Sequence, residues 1–341
     1  MLARVVLAAA AIFAAWPANT YALTIVTRGE ATQAAIADAY VQPFTAATDI
    51  PVRQENWDGG LDVLHAKVAE SGWDLVQVNA DELTAACSDG TFEKIDWSAI
   101  GGKDHYQSLA VSDCGVGAFL HNTVLAWDRD KFQATPTWAD FWDVAKIPGK
   151  RGLAKSVHGA LEIALLADGV ATADVYKTLA SSDGVDRAFR KLDQLKPYIV
   201  WWQTPAEAAK ILGSGDVLMT TTPSSVIVTA NRIEKRNFGI QFAASLYEPR
   251  SWAIMKGAQN LHEAQQFLYF TGASALQARL FRVSGETGLA KGVNDWLTPE
   301  QQALSPTSTA NTGGALRVDN GFWRDNAAKL RARFESWLTA Q

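Results

Sequence analysis

LTIVTRGEATQAAIADAYVQPFTAATDIPVRQENW, residues 23–57, places a strand, a helix and a second strand in direct succession. Leu23 to Thr27 has the pattern of a short buried strand, and Arg28-Gly29-Glu30 forms the turn after it. A helix is expected from about Thr32 to Thr45, with Ala35, Ala39, Val41 and Phe44 on its apolar positions. Ile50 to Gln54 is the returning strand. A βαβ unit of this kind builds a parallel sheet with helices on its faces, so the fold class is α/β.

Upstream, residues 1–22 read MLARVVLAAAAIFAAWPANTYA. One arginine, Arg4, precedes an apolar run, Val5 to Trp16, and a short polar segment ends in small residues. This is the grammar of a secretory signal peptide, with cleavage expected near Ala22. The run is short for a membrane span, and no cysteine at the cleavage site offers a lipid anchor. The mature chain is expected to start near Leu23 and to be exported.

Downstream, the alternation continues. Helices are expected at Asp62–Ser71, Glu82–Ser88, Trp138–Val144, Leu161–Ala167, Asp174–Leu179, Val185–Leu195 and Ala206–Leu212. Strands are expected at Trp73–Val78, Gly115–Asp128, Arg151–Lys155, Tyr198–Trp202, Val217–Thr221, Ile240–Ala243 and Trp252–Met255. Leu261–Thr271, Ala275–Phe281 and an amphipathic Phe322–Leu338 complete the helices. No repeat, low-complexity tract or flexible Gly/Ser linker interrupts the chain, so two domains would be joined by chain crossings rather than a tether.

Composition excludes several classes of partner. The 341 residues carry a net charge of −5, and loss of the leader removes only Arg4, leaving −6. A mildly acidic chain without a Lys/Arg cluster is not built for nucleic acid or an anionic membrane. The two cysteines, Cys87 and Cys114, are expected to form a disulfide in an exported protein; a metal site or a catalytic thiol is the alternative. Five scattered histidines give no HExxH, and neither GxSxG nor GxxxxGK[ST] occurs. Gly149, Gly152 and Gly159 do not match a dinucleotide fingerprint. No cofactor or metal is expected, and the chain is read as a binding protein rather than an enzyme, with a secreted hydrolase or transferase as the disfavoured alternative.

Several segments in order resemble the extracytoplasmic solute-binding proteins of ABC importers, polyamine-type subgroup. They are LTIVTRGE (23–30), ENWDGGLDVLHAKV (55–68), WDLVQVNADELTAACSDGTFEKID (73–96), DCGVGAFLHNTVLAWD (113–128), TWADFWDVAKIPGKRGL (137–153), LEIALLADGV (161–170), LYEPRSWAIMKGA (246–258) and FWRDNAAKLRARFESWL (322–338). The resemblance implies a periplasmic, monomeric protein of two α/β lobes with a ligand cleft between them. One lobe would hold residues 23–125 and 250–290, the other 126–249 and 291–341. Closure about a hinge would trap a small molecule for an ABC permease. The resemblance also supports pairing of Cys87 with Cys114.

Ligands of open α/β sheets sit beyond the carboxyl ends of the strands. That points to Arg28, Gly29 and Glu30, to Trp57, Asp58 and Gly59, to Asn79 and Asp81, to Gln203 and Thr204, to Ser224 and Ser225, and to Glu248, Arg250 and Trp252. By the resemblance, Glu162 falls where the family places a carboxylate against an amine. Arg250 falls where polyamine binders keep an aspartate, and Arg28 replaces a small neutral residue. Arg28 is expected to face Arg250 from the opposite lobe. An arginine fork suits a carboxylate or phosphonate and repels a polyamine. The expected solute is therefore a small anionic or zwitterionic metabolite such as a carboxylate, amino acid or phosphonate; putrescine or spermidine is the alternative. Structural readings stand beside these: Arg250 pairing with Glu248 or Glu30, Arg28 facing solvent, Trp57 packing in the core, and Glu162 capping a helix.

Overall fold

Parallel pairing of β1 (Leu23–Arg28) with β2 (Val52–Trp57) and β3 (Leu75–Val78) realises the βαβ reading in the computed structural model, which describes residues 22–70 and 72–339. The expected leader lies outside the described residues except for Ala22. The helix after β1 is not regular: α1 (Glu30–Ile36) passes through a π turn at Ala37–Val41 into α2 (Gln42–Thr48). Pro43 has no N–H to give, and the widened turn relieves its clash with the preceding carbonyls. Next come α3 (Leu61–Glu70) and α4 (Ala80–Ser88).

The chain then runs through β4 (Val116–Asp128), α5 (Trp138–Trp142), β5 (Arg151–Ala154), α6 (Val157–Ala167), α7 (Val175–Leu179) and α8 (Ser182–Leu195). It continues through β6 (Ile199–Trp202), α9 (Pro205–Ser214), β7 (Met219–Thr222), α10 (Ser224–Ile233), β8 (Phe238–Ile254), α11 (Leu261–Thr271) and α12 (Ser274–Ser284). Last are α13 (Pro299–Leu304), α14 (Thr309–Thr312), β9 (Leu316–Arg317) and α15 (Asn320–Thr339).

The strand order is β2-β1-β3-β8-β4-β7-β5-β6, with β9 beside β8. β4 and β8 are antiparallel partners along nearly their whole lengths, from Val116↔Trp252 to Asp128↔Phe238. At one end β8 carries β3 on Ser251–Ile254; at the other β4 carries β7 on Val124–Trp127. The two long strands thus pass from one half of the sheet to the other. Register shifts at Gly117/Phe119 and Thr123/Leu125 bracket the passage. The sequence predicts two strands where β8 is one of 17 residues. Glu248-Pro249-Arg250 reads as a break, but Pro249 pairs with Leu120 where neither β3 nor β9 extends alongside, so its missing donor is not needed.

Each half has its own core. In the first, Ile25 and Leu75 pack to one face with Phe44, Trp252 and Phe267, while Val26, Val76 and Val78 pack to the other with Trp57 and Leu83. Burial on both faces is why β1 and β3 read as continuous apolar runs. In the second, Trp127, Phe141, Leu161, Leu192, Trp323 and Phe334 form the main core. Two further contacts bridge the halves. α10 packs on α12 through Val228, Ala278 and Phe281, and α15 lies against α4. Gly285, at φ +79°, permits the first: an added Cβ would stand 2.9 Å from the Ser225 Cα and 3.0 Å from the Val228 Cβ. The disulfide between Cys87 and Cys114 ties the end of α4 to the approach of β4.

Candidate functional site

Polar side chains collect where β4 and β8 pass between the halves, beyond the ends of β1, β3 and β7. Arg28 ends β1 beside the paired Trp57 of β2. Its guanidinium lies over the Trp57 ring, 5.0 Å from the centroid, and donates to Glu82 Oε1. Glu82 also accepts from the Gly60 N–H (3.0 Å) and, through Oε2, from the Asn79 N–H (3.0 Å). Gly59 sits at φ +99°, and any Cβ there would collide with the Arg28 guanidinium. The turn after β2 therefore needs glycine for both backbone and space.

Arg250 follows on β8. Its Nη2 forms a long ion pair with Glu248 Oε1 at 3.8 Å, as the structural reading allowed, though beyond hydrogen-bond range. Burial lowers the pKa of Arg28; Glu82 opposes this and Arg250 adds to it. Two guanidiniums thus stand within electrostatic reach, and Arg28 Nε and Arg250 Nη1 are both buried without a partner. Asn79 Oδ1, Asn122 Nδ2 and Thr222 Oγ1 are likewise unpartnered. Buried polar groups left in this state cost stability unless a partner arrives, an acceptor for the N–H and O–H groups and a donor for the Asn79 oxygen.

The floor of the cluster is polar on the long strands. His121, opposite Glu248 in the β4–β8 register, is held well below the ordinary imidazole range by burial, then by Arg250, His158 and Arg28. Asn122 Oδ1 accepts from the Ser224 N–H and Oγ, both at 3.0 Å. Ser225 Oγ donates to Glu286 Oε1 at 2.7 Å. Burial pushes the Glu286 carboxyl up to about 7, against the pull of Ser225 and Arg250. Among the described residues no cluster of three or more His, Cys, Asp or Glu side chains is placed to hold a metal.

The expected site residues divide. Arg28, Trp57, Asn79, Ser224, Ser225, Glu248 and Arg250 belong to this cluster. Gly29, Glu30, Asp58 and Asp81 are exposed around it, and Asp81 lies close enough to act on the Arg28 charge. Arg28 and Arg250 do not face each other across the halves: β1 and β8 flank β3 in the same half. Trp57 is both wall and core, its Nε1 bonded to the Gln77 carbonyl at 3.1 Å. Trp252 is core alone, edge-on to Phe267. Gln203 and Thr204 cap α9 through Glu207, beyond the outermost strand β6.

Glu162 has no accessible surface. Its oxygens accept from the Gly159 N–H (3.0 Å), Tyr176 Oη (2.9 Å) and Trp323 Nε1 (2.7 Å). It organises the start of α6 and the root of α15, so it offers no open carboxylate to an amine. Sequence reasoning missed His121, Asn122, Glu82 and Glu286. A His-Asn pair inside the otherwise apolar β4 was the available signal for the first two.

A family model described as bacterial extracellular solute-binding protein matches residues 39–331. The gamma-aminobutyric acid-binding protein of Pseudomonas aeruginosa is 37% identical over 340 residues, covering 99% of this chain and 96% of that protein. An ABC transporter substrate-binding protein from Bradyrhizobium japonicum superposes with a TM-score of 0.83 at 28% identity, covering 93% of this chain and 99% of that one. The Atu4243-GABA receptor gives a TM-score of 0.83 at 27% identity, covering 94% of this chain and 98% of that one.

Proposed function

Because the chain belongs to the bacterial extracellular solute-binding protein family, and is the two-lobed capture component of an ABC transporter rather than an enzyme, we propose that its solute is a small zwitterion whose carboxylate is taken by Arg250 with Arg28 behind it. The observation that carries this reading is the pair of neighbouring guanidiniums with buried, unpartnered N–H groups. Glu82 holds Arg28 in place, whereas Glu248 stands off Arg250 at 3.8 Å. A ligand carboxylate would complete the donor set and offset the repulsion between the two cations. The gamma-aminobutyric acid-binding relative favours an ω-amino acid within this class.

The polyamine-type reading is the second one; it rests on the ordered segments and is opposed by Arg28 and Arg250. Calorimetry separates the two. Gamma-aminobutyrate and related amino acids should bind, and putrescine and spermidine should bind poorly. A charge-assisted hydrogen bond contributes about 1.5–3 kcal/mol, so Arg250→Ala should weaken the amino acid by about tenfold or more with the melting temperature little changed. Tight polyamine binding with a harmless Arg250→Ala would overturn the proposal.

The same reading assigns residues 23–125 and 250–290 to one lobe and 126–249 and 291–341 to the other, supported by the separate cores. It takes residues 1–22 as a leader cleaved near Ala22, leaving a periplasmic monomer that binds no nucleic acid. Mass spectrometry of periplasmic material that retained Met1 would count against the leader.

A further inference from the structure

Glu286 follows α12, on the stretch where the chain passes the long strands again: the Leu120 N–H donates to the Thr287 carbonyl at 2.9 Å. The loop is tied down locally, with the Glu286 N–H on Ser284 Oγ at 3.1 Å. Its carboxylate is fixed from the other half of the sheet by Ser225, at the head of α10, whose hydroxyl occupies Oε1. Among the described residues no hydrogen bond reaches Oε2. Each element around it contributes a known group. α10 presents the neutral Ser225, β4 the Leu120 backbone, and β8 the Arg250 cation, close enough to act on its charge but not paired with it.

A partly buried carboxylate short of a counter-charge is costly to keep ionised. The position of its carboxyl, pushed up to about 7, has that cause. An ammonium group arriving beside it would remove the deficit, and in the same cluster as Arg250 this gives a site with separated poles. A diacid would instead bring a second carboxylate against Glu286 and be rejected by repulsion.

We propose that Glu286 receives the ammonium group of the ligand and so selects amino acids over plain acids of the same length. This rests on the zwitterion reading above. In that reading Arg250 holds one pole, and here Ser225 and Glu286, meeting across the two halves, hold the other.

The full chain should be titrated by calorimetry with gamma-aminobutyrate and with butyrate, which lacks only the amine. The wild type is expected to prefer the amino acid by at least about tenfold. Glu286→Gln is expected to abolish that preference by weakening gamma-aminobutyrate while leaving butyrate unchanged. A folded Glu286→Gln that keeps the preference overturns the inference and leaves the zwitterion reading standing. A wild type that binds gamma-aminobutyrate and butyrate equally overturns it too. A wild type that binds neither overturns both. Should Glu286→Gln fail to fold, Glu286→Asp decides. The charge is then withdrawn by one methylene, and the preferred ligand should lengthen to 5-aminopentanoate; an unshifted preference for gamma-aminobutyrate overturns the assignment.

Discussion

Arg151 shows what an arginine looks like when its work is structural. It has no accessible surface, and every arm of its fork is used: Nε donates to the Phe141 carbonyl at 2.8 Å, Nη1 to Gly149 at 2.7 Å and Nη2 to Ile147 at 2.7 Å. Arg28 and Arg250 each keep a buried N–H unused. Arg151→Lys should leave two of the three carbonyls unpaired and cost roughly 3 kcal/mol, read as a lowered midpoint in urea unfolding with solute affinity unchanged. Glu286 gives a pH signature. Its folded pKa of about 7 lies above the ordinary 4.5, so the native state binds more protons than the unfolded chain between those values. Its contribution to stability is full below that window and is lost as pH rises through 7. Melting curves across pH 4.5–8 should show this loss in the ligand-free wild type and not in Glu286→Gln. The sequence alone pointed to Arg28 because it follows the first strand, and to both Arg28 and Arg250 because they break a family pattern. It could not point to Glu286, whose role depends on Ser225, 61 residues away. It misjudged Glu162 because nothing local reveals that Tyr176 and Trp323 have already claimed the carboxylate.

Among the elements, the first βαβ unit was legible because its apolar positions mark the strands and the helix, although the π turn at Ala37–Val41 within that helix left no sign. α10 was not: SSVIVTANRI is rich in β-branched residues, which favour strands, and its helicity comes from packing on α12. β8 was divided in error because proline normally marks a strand boundary, whereas here it stands where no third strand needs its donor. The Cys87–Cys114 link closes a loop with a sequence separation of 27 between α4 and β4, and the chain-entropy account gives it about 3.5 kcal/mol. Replacing both cysteines with serine should lower the melting temperature by several degrees and increase proteolysis between them. Thiol labelling of the denatured, unreduced wild type should find neither residue free.

At the scale of the molecule, the two halves share long strands but keep separate cores, which is the condition for moving as two bodies. The two contacts beside the strands are unequal. α10 on α12 is a buried apolar joint strengthened by the Thr229 hydroxyl on the Ser284 carbonyl and by the Arg232 guanidinium on the Arg282 and Val283 carbonyls. No hydrogen bond or ion pair joins α4 to α15 among the described residues. Opening should therefore separate α4 from α15 and turn about the α10–α12 side. Small-angle scattering should show a smaller radius of gyration with saturating gamma-aminobutyrate than without it; identical radii would rule out closure by that ligand.

The bare Cα of Gly285 lies in that joint. A methyl group there would enter the space now filled by the backbone of Ser225 and the side chain of Val228, and would act as a wedge under one end of a lever. Because apparent affinity is the intrinsic affinity scaled by the fraction of molecules able to close, a wedge of this kind would weaken every ligand, and by displacing Ser225 it would also disturb the carboxylate of Glu286. Sensitivity to scarce solute and choice among solutes thus meet at this joint, and a mutation there would shift the two together.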